Sequence, residues 1–412
     1  MARLSRLILS NFRNFAALDL DVPSGVVVFY GANAQGKTTL LEAVYLLAIA
    51  RSFRAENERE VVSFSAAASG DQALVGGILD KAGERVAIYA GYSCTAPSSA
   101  APGSDAAGPG LNYSVRKEIR VNRIRRTAAD LVGTVGAVLF NAEDIDLVQG
   151  PPSGRRRYLD ILISQGNPLY LKALQRYTRI VRQRNRLLRL LREGRAENSE
   201  LQFWDDRLVT EGSWLCWERA RALTLLGDLC SDHHRTLTSP GELLSLEHLP
   251  SVPVGDGVEA TAGHFRGALA DRRSRDLAAG STSLGPHRDD FKLLVDGVDM
   301  GTFASRGQAR TLALALRLAE ASYLLQVRQD EPVVLLDDVL SEMDEDRRTR
   351  VLEKVVGYGQ SLITTTDLDL VRGYFGSQAT YFRVGDGAVG PGPTAGPHPR
   401  GGRGNQPRPT KA

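Results

Sequence analysis

Residues 31–47 read GANAQGKTTLLEAVYLL and follow the apolar run GVVVFY of residues 25–30. Gly31, four intervening residues (Ala32, Asn33, Ala34, Gln35), then Gly36, Lys37 and Thr38 satisfy the pattern G-x-x-x-x-G-K-[ST]. Each residue type has a physical task. Glycines let the backbone turn tightly enough for successive N–H groups to converge on phosphate oxygens. The lysine brings a point charge to the outer phosphates, and the threonine hydroxyl reaches Mg²⁺. The context agrees: Val26–Tyr30 has the pattern of a buried strand, and Leu40, Leu41, Val44 and Leu47 repeat at helical spacing. The competing reading, a strand–turn–helix whose glycines only serve the turn, leaves motif and context to coincidence. This loop holds a nucleoside triphosphate.

The second half of such a site stands 300 residues later. PVVLLDDVLSEMD (332–344) is an apolar strand pattern that ends in two carboxylates. A strand delivering acid groups at its C-terminal end is what a Mg²⁺–phosphate centre needs opposite the loop. Asp337 is the candidate metal ligand, and Asp338 the candidate for positioning or deprotonating the attacking water. A buried strand capped by solvated acids is the plainer alternative, and the phosphate loop argues against it. A single mononucleotide domain does not usually part its halves so widely, so an insertion from about 150 to 280 is expected.

The pattern along the chain supports that division. Short strand patterns fill 1–150: RLSRLILSNF, GVVVFYG, ALVGGILD, RVAIYAGY and EIRVN. An Ala/Pro/Ser/Gly-rich stretch at about 92–112 reads as a disordered insertion. From 151 to 282 the periodicity turns helical, with Leu171, Leu174, Tyr177, Val181, Leu187, Leu188 and Leu191 on one face of a long helix. From 283 to 385 strands and helices alternate, after a hairpin turn at Asp296-Gly297, and alternation implies an α/β sheet. The segment 386–412 is a Gly/Pro/Arg-rich tail, read as disordered and basic.

Bulk properties exclude several classes. Apolar residues make up 42% and charged residues 24%, ordinary for a soluble protein. Cys94, Cys216 and Cys230 sit far apart, in no zinc or disulfide pattern. No run of apolar residues is long enough to span a membrane, and the N-terminus lacks the form of a signal peptide. A cytoplasmic protein without a membrane partner is expected. The net charge of +3 hides a local excess: Arg155–Arg195 carries twelve basic residues against Asp160 and Glu193, an excess of ten over 41 residues. Only Asp160, four after Arg156, and Glu193, four after Arg189, stand at i+4, too few to neutralise it. Such a surface suits a phosphate backbone, and Arg176, Arg179, Arg182 and Arg186 are the candidate DNA contacts. A solvated face paired with acids elsewhere in the fold is the alternative.

Two further segments call for assignment. In ASRGQAR, Ser305 stands at a helix N-cap, whose free N–H groups and dipole can meet an anion. In SLGPHRDDF (283–291), His287, Arg288, Asp289 and Asp290 form either a catalytic or metal cluster or, as is commoner for acids beside arginine, a local ion-pair network.

Together GANAQGKT, SRGQAR, VVLLDDVLSEMD and ITTTD resemble the ATPase heads of the ABC type, in the branch shared with SMC proteins. Within it, NFRNF (11–15), VLFNAEDIDLVQGPPSGRRRYLD (138–160) and SLGPHRDDF resemble the RecF family of bacterial recombination mediators over about residues 3 to 385. The resemblance implies an α/β fold, an ABC/SMC-type P-loop ATPase head with an inserted mostly helical domain. It implies ATP and Mg²⁺ as cofactors and a homodimer formed on ATP. Arg13, Gly31, Ala32, Asn33, Ala34, Gln35, Gly36, Lys37, Thr38 and Thr39 would bind ATP in cis, with Thr38 and Asp337 on the metal and Asp338 catalytic. Ser305, Gly307 and Gln308 would meet the γ-phosphate in trans. Implied partners are single-stranded or gapped DNA, RecR, RecO and RecA, in replication, recombinational repair and the SOS response. Two departures, SRGQ for LSGGQ and threonines (Thr364–Thr366) at the switch-histidine position, imply slow, DNA-stimulated hydrolysis. The glutamine of the Q-loop is unplaced, Gln149 and Glu143-Asp144 both being candidates. An ABC-type subunit acting on a protein or membrane partner is the alternative function.

Overall fold

The computed structural model describes residues 2–95, 113–238 and 241–393. In chain order its strands are β1 (Ala2–Phe12), β2 (Phe15–Asp21), β3 (Gly25–Tyr30), β4 (Gln72–Lys81) and β5 (Glu84–Thr95). Then follow β6 (Ser114–Val121), β7 (Ile124–Arg126), β8 (Ala137–Phe140), β9 (Leu244–Leu249) and β10 (Asp290–Val295). Last come β11 (Val298–Asp299), β12 (Val333–Asp337), β13 (Gln360–Thr365), β14 (Ala379–Gly385) and β15 (Ala388–Pro391).

The central sheet has the order β15-β14-β3-β13-β12-β8, parallel except for the β14–β15 hairpin. β3, β8 and β12 are near-continuous apolar runs because both faces are covered. Val26, Val28, Val138, Phe140, Val334, Leu336 and Ile363 feed one core, while Val27, Phe29, Ala137, Leu139, Val333, Leu335 and Leu362 feed the other. On the second face lies the helix Lys37–Ile49, apolar nearly all round because an antiparallel sheet, β2-β1-β4-β5-β6-β7, closes over it. On the first face lies the helix Arg306–Arg328, backed by the arm.

The arm comprises helices Pro152–Gly166, Pro168–Arg192, Ser199–Leu237 and Val258–Ala279. Asn167 caps the second, accepting from Leu169 N at 3.1 Å, and Pro168 supplies the pre-set first turn.

Three boundaries move. Tyr92–Thr95 completes β5, with Tyr92 fully buried, so these four residues of the expected insertion belong to a strand; residues 96–112 lie outside the described residues. The tail expected from 386 starts with β15, which pairs Phe382 with Pro391 and so covers an edge of the central sheet; 394–412 lie outside the described residues. The boundary at 282/283 is bridged by a third sheet, β11-β10-β9, in which β9 pairs with β10. The segment LSLEHL is hidden among helical patterns because six residues are too few to show a period. The Asp296-Gly297 turn does close the β10–β11 hairpin, with φ of 51° and 79°.

SLGPHRDDF ties the arm to that sheet. Asp289 accepts from Ser251 N (2.8 Å) and Oγ (2.9 Å), while Asp290 takes Arg155 in a bidentate pair at 2.7 and 2.8 Å. Arg219, fully buried, donates to Asp160 (2.7 Å) and Tyr170 (2.9 Å) and to the Pro286 carbonyl. His287 Nδ1 meets the Tyr177 hydroxyl at 2.7 Å. This is an ion-pair network, and no cluster of metal-ligating side chains occurs among the described residues.

Candidate nucleotide site

The register of the central sheet sets the site. Tyr30 stands beside Thr365, and Thr364 beside Asp337, so β3, β13 and β12 end level with one another. In open α/β sheets the crevice beyond the carboxyl ends of the strands is where ligands sit. Here it receives the phosphate loop from β3, Asp337 and Asp338 from β12, and Thr364–Thr366 from β13.

The loop is pinned from two sides. Gly36 has φ of 110°, and a Cβ there would lie 2.6 Å from Asn14 Nδ2 and 2.8 Å from the Phe15 ring. A Cβ on Gly31 would run into the Val384 carbonyl. Asn14 Nδ2 donates to the Gln35 carbonyl at 3.1 Å, and Asp386 N donates to Gln35 Oε1 at 2.5 Å. Ala32, Asn33 and Ala34 are left exposed, Ala34 with φ of 63°. The first intrahelical bond joins Leu40 N to Gly36 O at 3.2 Å, so the N–H groups of Lys37, Thr38 and Thr39 are unused by the helix.

Lys37 is buried and its Nζ donates to the carbonyls of Gly31 and Ala32, each at 2.8 Å. Burial lowers its pKa, against the pull of Asp338 and Asp337. Thr38 Oγ1 and Thr364 Oγ1 both donate to Asp337 Oδ1 at 2.8 Å. A hydroxyl and a carboxylate in contact are the all-oxygen donor set that suits a hard cation such as Mg²⁺. Asp338 adopts φ of 52°, its N–H donates to Thr364 Oγ1 at 3.0 Å, and its Oδ1 is buried without a hydrogen-bond partner. Burial raises the Asp338 pKa, and Lys37 moderates the rise. A carboxylate with raised basicity and an unengaged oxygen is equipped to take a proton.

Two of the expected nucleotide residues have side chains engaged with the fold. The Thr39 side chain is buried in the core, which leaves only its backbone N–H toward the loop. Arg13 turns its guanidinium onto the fully buried Glu42, at 2.7 and 3.1 Å, and onto the Glu60 carbonyl at 2.7 Å. It clamps the second turn of the loop's helix, because a buried carboxylate there needs a cation. Glu42 carries no motif of its own and sits unremarked in LLEAV.

Ser305, Gly307 and Gln308 are exposed at the start of the helix Arg306–Arg328. Ser305 Oγ accepts from Gln308 N at 3.3 Å and Gln308 Oε1 accepts from Ser305 N at 3.0 Å, a reciprocal capping box. That helix lies across the central sheet from the loop's helix. Gln149 Nε2 donates to the Ala304 carbonyl at 2.8 Å, steadying the approach to the cap.

The same helix is anchored by charge. Arg317 lies between Asp144 (2.6 Å) and Glu320 (2.7 Å), all three essentially buried. One guanidinium serves two carboxylates, and burial pushes the Glu320 carboxyl up to about 7 from an ordinary value of 4.5. A raised folded-state pKa means that ionised Glu320 opposes folding. The penalty is absent below the unfolded value and complete above the folded one. Glu320→Gln is therefore expected to match the wild type near pH 4.5 and to gain about 1–3 kcal/mol at about pH 8. Thermal unfolding at both pH values checks this, and a variant less stable at the higher pH contradicts it.

The candidate DNA arginines divide. Arg176 forms a bidentate pair with Glu211 at 2.6 and 2.9 Å, so its charge is neutralised. Elsewhere in the basic segment Arg184 is buried against Asp205 and Asp276, each at 2.7 Å, and Lys172 meets Asp130 at 3.1 Å. The acids missing at i+4 come from neighbouring helices, which sequence spacing does not reveal. Arg179, Arg182 and Arg186, with Arg189, are exposed and make no ion pair among the described residues.

The family described as RecF/RecN/SMC N terminal domain matches residues 3–374. A DNA replication and repair protein RecF from Herpetosiphon aurantiacus is 40% identical over 400 residues, 94% of this chain and 99% of that protein. One of the same name from Chloroflexus aurantiacus is 38% identical over 393 residues, 93% and 98% of the two chains. The chain belongs to the RecF family. A solved structure of the recombination mediator protein RecF with ATP, in the RecFOR pathway, is similar with a TM-score of 0.82 and 32% identity. It covers 95% of this chain, so the likeness to RecF takes in the arm as well as the sheets. An Smc head domain from Pyrococcus yayanosii, 13% identical with a TM-score of 0.51, shares the fold alone. The fold is that of an ABC/SMC-type ATPase head carrying a mostly helical arm. Among the described residues no helix is long and apolar enough to cross a membrane.

Proposed function

We propose that this chain is a slow ATPase that uses ATP to pair with a second copy of itself and hold DNA during replication and recombinational repair. The observation that carries the proposal is the junction of Thr38, Asp337 and Thr364 at level strand ends, with Asp338 beside it bearing a free carboxylate oxygen. RecF relatives solved with ATP support the choice of nucleotide.

In this mechanism the N–H groups of the loop and Lys37 hold the β- and γ-phosphates. Thr38 and Asp337 would hold Mg²⁺, which would supply charge neutralisation at the transferred phosphoryl. Thr364 fixes Asp337 in place, and Asp338 orients the attacking water and accepts its proton. Gly31, Ala32, Asn33, Ala34, Gln35 and Gly36 shape the cradle, and Arg13 keeps its helix in register through Glu42. Ser305, Gly307 and Gln308, held on the opposite face, complete the site of a partner copy. With no histidine at Thr364–Thr366, hydrolysis is slow and resets the dimer.

DNA lies along Arg179, Arg182 and Arg186, contacted through phosphates and therefore without sequence preference. The pathway named for the solved RecF structures supports RecO and RecR as partners. Loading of RecA at single-strand gaps, a part in the SOS response and a cytoplasmic location complete the proposal. The division into a head (1–150 and 283–385) and an arm (151–282), joined across 282/283 by the β9–β10 pairing, belongs to it too.

Anisotropy of a labelled gapped duplex tests it. Binding is expected to be about tenfold or more tighter in ATP–Mg²⁺ than in ADP–Mg²⁺. Ser305→Arg is expected to remove that gain and the dimer while leaving ATP binding by the monomer intact. A Ser305→Arg protein that dimerises like the wild type contradicts the composite site.

A further inference from the structure

We propose that the recess between the phosphate-loop helix and the first two arm helices is a pocket for an unpaired nucleotide of single-stranded DNA, its phosphate held by Arg51 and Arg157. The proposal rests on the DNA-binding function above and names where the strand enters.

The recess is a cavity of about 430 Å³, within the ~300–1,000 Å³ range of small-ligand sites. Tyr45, Ile49, Ile161 and Leu174 give it apolar walls. Arg51, Arg156 and Arg157 supply the charge. Arg156 is partly engaged, donating to the Asp289 carbonyl at 3.0 Å. Arg51 and Arg157 are exposed and make neither a hydrogen bond nor an ion pair among the described residues. Partial desolvation of its inner end by the recess walls, and then the neighbouring Arg51, lower the Arg157 pKa, so two like charges face each other. The acid lining the recess, Asp160, is already bound by Arg219 and Tyr170, each at 2.7 Å, and does not offset them. An anion is the missing counterpart.

The shape selects the kind of anion. Leu171, Leu174 and Thr178 line the recess from one face of the helix Pro168–Arg192. Helical periodicity continues that face through Arg182 and Arg189, both exposed. From Thr178 to Arg189 this makes a track of about 16 Å for a phosphate backbone. A duplex keeps its bases stacked inside and cannot enter, whereas an unpaired base can swing into an apolar recess beside a cationic groove. The nucleotide site is remote: the helix Lys37–Ile49 spans about 20 Å between Lys37 and the Arg51 end.

The test compares a duplex bearing a single-stranded overhang with a blunt duplex of equal length, both in ATP–Mg²⁺, by anisotropy. Arg51→Glu with Arg157→Glu is expected to weaken overhang binding about tenfold or more. Blunt-duplex binding should stay within about twofold, and ATP-driven dimerisation should be unchanged. Thr178→Trp, which fills the recess without altering charge, is expected to give the same selective loss. Equal loss on both probes from both variants overturns the pocket in favour of diffuse charge. No loss on either probe also overturns it and leaves the recess to an acidic peptide. Wild-type protein that binds neither DNA under ATP contradicts the function itself, a distinct outcome.

Discussion

Lys37→Ala abolishes ATP-dependent dimerisation and weakens ATP binding by a factor of about 10²–10³. The lysine supplies charge-assisted hydrogen bonds to the outer phosphates, each worth about 1.5–3 kcal/mol. Alanine offers nothing in their place. The fold should tolerate the change. Lys37 Nζ bonds only to the loop carbonyls of Gly31 and Ala32, beside exposed Ala32, and burial already disfavours its charge. The thermal midpoint is therefore expected within a few degrees of the wild type. Calorimetric titration with a non-hydrolysable ATP analogue measures the affinity. Wild-type affinity in a folded Lys37→Ala protein removes the loop from its role.

Asp338→Asn traps an ATP-bound dimer. Asparagine keeps the size and the approach through Thr364 but cannot accept the proton from water, so hydrolysis is expected to fall by about 10²–10⁴. ATP binding should persist because Thr38, Asp337 and Lys37 are untouched. Stability has a definite sign as well. Burial raises the Asp338 pKa above its unfolded value, so the ionised form opposes folding at neutral pH and the protonated form does not. Asparagine mimics the protonated form. The variant should be at least as stable as the wild type at pH 7, with any advantage vanishing below the ordinary carboxylate range. Single-turnover hydrolysis together with light scattering checks both halves. Wild-type turnover by Asp338→Asn assigns proton removal to another group.

The parts of the site written in contiguous sequence are legible there. The phosphate loop, the strand ending in Asp337 and Asp338, and the cap at Ser305 each carry their geometry within a few residues. What joins them is long-range. The Thr38–Asp337 bond spans 299 positions, and Arg317 meets Asp144 across 173. The pairing of Arg13 with Glu42 is as hidden in sequence, since Glu42 carries no motif and its burial, which calls for a cation, shows only in the fold. The basic segment is overcounted in sequence for a related reason. Arg184 and Arg176 meet acids on neighbouring helices, and only a row near Arg179–Arg189 remains open. β9 escapes notice because it is short and its partner, β10, lies beyond a 22-residue helix.

The first measurement is sedimentation velocity of the wild-type protein with ADP–Mg²⁺, with ATP–Mg²⁺, and with ATP–Mg²⁺ plus a gapped duplex. A monomer in ADP that becomes a dimer in ATP, and then carries the DNA at two copies per duplex, is the expected result. A protein that binds ATP yet sediments as a monomer in all three conditions contradicts the composite site, and with it the assignment of Ser305, Gly307 and Gln308 to a partner's nucleotide.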